Sequence, residues 1–216
     1  MNKRILIVVD AQGDFCNPDG ALYVPGAELV VGKINRLLRN LDRNEYSHVL
    51  FTFDTHQAEG WADTEEGKMF PIHCVQNTEG WMLVIEPEQV PFDITKVVLY
   101  KGVFDMWASP TVVIQPYVGS SSDMTLIGDF FGRIVAPGVT GVDVCGVATD
   151  YCVNDAVRGL LRKGFKVRVF SDLVKGINRE VDEVNEQDWA PLGVVELIDS
   201  NAVRQKDSED VESNVQ

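Results

Sequence analysis

Cys152 is the side chain with the most chemical promise in this sequence. It stands in Gly146-Val-Ala-Thr-Asp-Tyr-Cys152-Val, after an apolar run that reads as a buried strand. A helical pattern begins at the cysteine, with Val153, Ala156, Val157, Leu160 and Leu161 on one face. A thiol at the first turn of a helix meets unpaired backbone N–H groups and the positive end of the dipole, which favour the thiolate. Alone, a cysteine is more often a small buried apolar residue. Two further residues change the balance. Asp10 closes the apolar run Ile5–Val9, and Lys101 follows Val97–Tyr100. A carboxylate can take the thiol proton, and an ammonium can keep the carboxylate ionised and steady the thiolate. Singly, Asp10 reads as a turn residue and Lys101 as a surface cation. Jointly with Cys152 they make a base, a cation and a nucleophile.

A second group comprises Asp54, His56, Glu66 and His73. The chain has three histidines, and two of them fall here beside acids. Imidazole nitrogen with carboxylate oxygen suits zinc, manganese or iron(II), and few protein ligands leave positions open for water or substrate. By spacing alone, a metal site and a polar surface loop are equally good readings. His48 starts a strand and reads as structural.

The elements that must position these residues alternate between strand and helix. Apolar strands are predicted at Ile5–Val9, Val49–Phe53, Val97–Tyr100, Val142–Val147, Lys166–Phe170 and Val194–Ile198, and helices at Ala27–Leu41 and Cys152–Arg162. The first helix places Val30, Val31, Ile34, Leu37, Leu38 and Leu41 on one face. This pattern predicts a doubly wound α/β fold, a mostly parallel six-stranded sheet with helices on both faces. Such sheets bind their ligands beyond the C-terminal strand ends, at a switch point. Asp10, Asp54 and Lys101 end strands and Cys152 lies just past one, so all four belong to that edge. The stretch from Thr55 to Thr95 carries little regular pattern, and a loop that long inside a domain is usually functional.

Composition sets the outer limits. The length of 216 residues fits one domain, expected over residues 1–204, followed by an acidic, disordered tail at 205–216. A net charge of −14 argues against nucleic acid as a partner. The apolar N-terminal run ends at Asp10, too short for a signal peptide, and no run is long enough to span a membrane. The four cysteines, Cys16, Cys74, Cys145 and Cys152, lack C-x-x-C spacing and read as free thiols in a reducing cytoplasm, which also argues against a redox role. Trp61, Trp81 and Trp107, read as exposed, are candidates for a lid or for the interface of a homo-oligomer.

Taken in order, Val-Val-Asp10-Ala-Gln-Gly-Asp14-Phe15, Asp54-Thr-His56, Phe70-Pro-Ile-His73-Cys, Tyr-Lys101-Gly and Gly146-Val-Ala-Thr-Asp-Tyr-Cys152-Val follow the pattern of the isochorismatase-like cysteine hydrolases. The chain resembles that family over roughly residues 3 to 175, and within it the nicotinamidase/pyrazinamidase branch. The resemblance implies a doubly wound fold and a catalytic triad of Asp10, Lys101 and Cys152. It also implies metal ligands at Asp54, His56 and His73, with a fourth that differs among members. One variant has a second histidine six positions after the first, where this chain has Ala62. The other has a glutamate seven residues before the last histidine, and Glu66 fits it.

The resemblance further implies a cis Val147–Ala148 peptide, with the N–H groups of Ala148 and Cys152 aimed at a developing oxyanion. Phe15 and Phe70, by motif, and Phe104, by its closeness to Lys101 in sequence, are candidates for walls around the substrate. The implied cofactor is one divalent metal ion, zinc ahead of iron or manganese. The implied substrate is a small amide, nicotinamide, hydrolysed to nicotinate and ammonia through a thioester in NAD salvage. Members without the metal ligands act on N-carbamoyl or ureido compounds, and such a substrate is the alternative. A catalytically silent binding protein of this fold would usually have lost one of Asp10, Lys101 and Cys152.

Overall fold

A computed structural model describes residues 3–118, 123–135 and 139–201. Every predicted apolar run becomes a strand. In chain order the strands are β1 (Lys3–Val9), β2 (Tyr46–Asp54), β3 (Thr95–Lys101), β4 (Val113–Pro116), β5 (Thr125–Leu126), β6 (Val139–Val147), β7 (Lys166–Lys175) and β8 (Val195–Ile198). The helices are α1 (Gly13–Cys16), α2 (Glu28–Arg39), α3 (Ile127–Asp129), α4 (Cys152–Arg162) and α5 (Val181–Val184).

The sheet has eight strands rather than six, in the order β5-β4-β3-β2-β1-β6-β7-β8. The two additions, β4 and β5, are antiparallel to their neighbours and form one edge. They are short, and β4 ends in Pro116, beyond Val113 and Ile114, the residues that β5 pairs with, so Pro116 interrupts no ladder on that side. Neither feature makes an apolar run. The remaining pairings are all parallel.

Strand β1 is buried on both faces, and its alternate residues divide between two cores. Ile5, Ile7 and Val9 pack with Leu50, Leu99 and Val144 against Val153, Ala156, Val157 and Leu160 of α4. Leu6 and Val8 pack with Val49, Phe51 and Phe170 against Val30, Ile34, Leu37 and Leu38 of α2. Val31 and Leu161, placed on these faces by periodicity, lie at their margins and are partly buried. Burying each such side chain is worth about 1.5–3 kcal/mol, so both helices are held mainly by their apolar stripes. At the N-terminal end of the sheet, buried Asp143 accepts from Arg4, Arg168 and the Tyr46 hydroxyl. That pairing explains a carboxylate inside the otherwise apolar β6.

The strand order reverses at β1, which pairs β2 on one side and β6 on the other. The crevice beyond the C-terminal ends of β1 and β6 is therefore the switch point. Gly146 allows the two strands to meet there. Its φ is +113°, and a Cβ would stand 2.0 Å from the Val9 carbonyl oxygen. Among the described residues no helix is long and apolar enough to cross a membrane. The acidic tail expected at 205–216 lies outside the described residues.

Candidate active site

Three strand ends and one helix start deliver the site. Asp10 leaves β1 with a positive φ of 44°, and its backbone carbonyl accepts from the Gln12 N–H at 2.7 Å. Asp54 and Lys101 are direct partners in the β2–β3 register. Cys152 opens α4, four residues after the cis Val147–Ala148 bond. That bond is the one the family resemblance implies. All four polar side chains are buried, Asp10 and Asp54 completely.

Lys101 stands at the centre. Its Nζ lies 2.8 Å from Asp10 Oδ2, 3.2 Å from Asp54 Oδ1 and 3.4 Å from Cys152 Sγ. Burial alone would strip its proton, but Asp10, Asp54 and Cys152 hold its pKa well above the ordinary lysine value. It is an ammonium. Burial pushes the Cys152 thiol well above its usual range; Lys101 pulls it down, while Asp10 and Asp54 push it further up. The resting group is thus a thiol, which calls for a base such as Asp10 beside it. Complete desolvation outweighs one ammonium and a helix end.

Thr52 and Gln12 complete the frame. The Thr52 hydroxyl donates to Asp10 Oδ1 at 2.5 Å. The Gln12 side chain accepts from the Asp54 N–H at 2.8 Å and donates to the Asp54 carbonyl at 2.9 Å, as a neighbouring strand would. Neither is legible in the sequence, because each acts on a partner 42 residues away.

Asp54 is shared with the second group. Its Oδ2 lies 3.0 Å from His56 Nε2 and 3.2 Å from His73 Nε2. Lys101, with hydrogen bonds from both histidines, overcomes burial and holds the Asp54 carboxyl well below the usual range. One donor atom from each of Asp54, His56, Glu66 and His73 lies within 4.8 Å of the others. His73 Nδ1 lies 2.8 Å from the Pro71 carbonyl and its Nε2 faces Asp54 and Glu66; burial lowers the His73 pKa, but these three acceptors outweigh it and raise it to about 9. Glu66 Oε1 is 3.4 Å from that Nε2, and both Glu66 oxygens are buried without a hydrogen bond. Two buried carboxylates and two imidazoles converging in one pocket, with both Glu66 oxygens left without a hydrogen bond, make a donor set of the kind that holds a divalent ion.

The aromatic candidates fall in two places. Phe15 packs on His73 with ring centroids 5.2 Å apart. Phe70 and Phe104 are 5.9 Å apart, and Tyr151 touches each at 5.3 Å. Tyr151, next to Cys152 in the chain, belongs to this wall although nothing in its motif marks it for that role. Trp61 is not an exposed lid. It is buried against His56 at 4.4 Å and His73 at 5.2 Å. Trp81 stacks on Tyr100, Trp107 packs on Phe131, and both are partly buried rather than exposed. The Ala148 carbonyl accepts from the N–H groups of Tyr151 and Val153, each at 3.1 Å. The Cys152 N–H opens α4, where no intrahelical acceptor exists.

A doubly wound sheet with a buried, charged, thiol-bearing crevice at its switch point belongs to the class of small-molecule enzymes and binding proteins. Comparison with known proteins is more specific. Residues 4–116 and 123–196 match the isochorismatase domain, and the chain belongs to that family. It is 31% identical over 180 residues to the nicotinamidase/pyrazinamidase of Mycobacterium tuberculosis, covering 82% of this chain and 89% of that protein. The crystal structure of pyrazinamidase of Pyrococcus horikoshii in complex with zinc matches with a TM-score of 0.67 and 30% identity, over 91% of this chain and 99% of that one. The structure of PnC1 from L. infantum in complex with nicotinate gives a TM-score of 0.70 at 25% identity, over 93% and 94%.

Proposed function

We propose that this protein is an amide hydrolase that converts nicotinamide to nicotinate and ammonia, with Cys152 as nucleophile. The observation that carries the reading is the shared Asp54 carboxylate, one oxygen against Lys101 and the other against His56 and His73. It joins a thiol centre to a metal-type donor set. A substrate carrying a carboxamide and a ring nitrogen on one small planar frame matches two such centres side by side. The curated relatives named nicotinamidase support the same substrate.

In this reading Asp54, His56, Glu66 and His73 hold one divalent ion, and zinc is the first choice from the zinc-bound relative. When bound, the ion supplies a Lewis-acidic docking point for the ring nitrogen and for water. The chain's own residues carry the chemistry. Asp10 removes the proton from Cys152 Sγ, and Lys101 offsets the negative charge that passes between them. The thiolate attacks the carboxamide carbon, and the N–H groups of Ala148 and Cys152 receive the oxyanion. Asp10 returns the proton to the departing nitrogen, which leaves as ammonia. Water then opens the thioester, releasing nicotinate and restoring the thiol. Phe15 on one side, and Phe70, Phe104 and Tyr151 on the other, flank the ring.

The test is ammonia release measured in parallel from nicotinamide, pyrazinamide and an N-carbamoyl amino acid. Turnover of the two ring amides alone is expected. Turnover of the carbamoyl compound alone would replace this substrate with the alternative.

A further inference from the structure

The two adjacent acids Glu65 and Glu66 have opposite fates. Glu65 points outward, its side chain 89% exposed and paired with Lys68, whereas Glu66 is buried facing the histidines. Glu66 Oε1 lies 3.4 Å from His73 Nε2 and 3.7 Å from His56 Nε2, but neither oxygen accepts a hydrogen bond that would fix it there. Its aim comes from the backbone that carries it.

That backbone is a tight turn closed by one hydroxyl. Thr64 Oγ1 donates to the Trp61 carbonyl at 2.8 Å and accepts from the Gly67 N–H at 2.8 Å, so it ties both ends of the segment 61–67. The Thr64 N–H bonds the same Trp61 carbonyl at 3.0 Å. The closure is close enough that a Cβ on Gly67 would stand 2.0 Å from the Trp61 carbonyl oxygen. Beyond the turn, the Glu66 carbonyl accepts from the N–H groups of Met69 and Phe70, at 3.0 and 2.9 Å, which fixes the residue from the other side. The same turn seats the Trp61 ring against both imidazoles, and Trp61 Nε1 reaches the Phe70 carbonyl at 3.4 Å.

We infer that Thr64 is the positioning residue of the metal site: its hydroxyl presents Glu66 and the Trp61 shield to the histidine pair as one unit. This rests on the metal reading above. Hydrogen-bond partners outside the ligand set commonly govern metal affinity by about 10–100-fold. Thr64→Val keeps the shape and loses both hydrogen bonds, whereas Thr64→Ser keeps them.

The experiment is zinc affinity by chelator competition on the full-length parent, Thr64→Val, Thr64→Ser and Gly67→Ala, with circular dichroism and melting of the metal-free proteins alongside. Thr64→Val and Gly67→Ala are expected to bind zinc at least about tenfold more weakly with their secondary structure retained, and Thr64→Ser to stay near the parent. Parent-like affinity in Thr64→Val overturns the inference alone, as does equal weakening in Thr64→Ser. A parent that takes up no zinc overturns the metal reading and the inference with it. Should Thr64→Val fail to fold, Gly67→Ala carries the test, and unchanged affinity there overturns the inference.

Discussion

Lys101 touches three groups at once, Asp10, Asp54 and Cys152, and its charge makes the rest of the site affordable. Without a cation, the two buried carboxylates would repel one another, and the thiolate once formed, in a medium that screens poorly. With it, one proton can move between sulfur and carboxylate at little electrostatic cost. The metal-type group obeys the same logic, since two buried carboxylates, Asp54 and Glu66, converge on His56 and His73. His73→Ala is therefore expected to lower bound metal and nicotinamide affinity together. Elemental analysis checks this, and unchanged metal stoichiometry would remove His73 from the donor set. Asp10, Lys101 and Cys152 were legible in the sequence because each interrupts or follows an apolar run. Gln12, Thr52, Trp61 and Tyr151 were not, because their roles are set by partners brought together only in the fold. The depth of burial of Cys152 was not legible for a related reason: burial is a property of the packed molecule, not of a helix start.

At the scale of elements, register decides which residues meet. Asp54 and Lys101 are paired across β2 and β3, and Val9 is paired with Gly146 across β1 and β6. Apolar runs reveal the strands but not these alignments, and they miss β4 and β5, which are too short to make a pattern. The β1–β6 contact has its own prediction. Gly146→Ala adds a Cβ against the Val9 carbonyl at a φ of +113°, so two penalties coincide. The expected loss is about 3 kcal/mol or more of stability, read from urea unfolding, together with most of the activity. A variant within about 0.5 kcal/mol of the parent would show that this crossing is looser than described.

For the whole molecule, four buried free thiols in one domain make its stability sensitive to alkali. Burial, with Asp10 and Glu28, pushes Cys16 from near 9 up to about 12. Burial, with Asp143 and Asp172, pushes Cys145 up as well. In the unfolded chain both would ionise near pH 9, whereas in the folded protein they stay protonated beyond it. Their contribution is therefore fully present below pH 9 and is lost as pH rises toward the folded values. The expected slope is about 1.4 kcal/mol per pH unit for each thiol, visible as a falling urea midpoint between about pH 9 and 11. A flat midpoint across that range would mean that these thiols are not buried as described. The two-sided packing of β1 also explains why the fold class was readable when the antiparallel pair β4 and β5 was not: central strands must be apolar on both faces, and strands toward an edge need not be.

The central claim is that the Cys152 thiol attacks nicotinamide. Its most direct measurement is ammonia release from nicotinamide by Cys152→Ala beside the parent, with intact-protein mass spectrometry of the rapidly quenched parent. The account predicts no turnover in Cys152→Ala, with fold and metal content retained, and a transient nicotinoyl adduct on Cys152 in the parent. Turnover by Cys152→Ala at a rate near the parent's would contradict it.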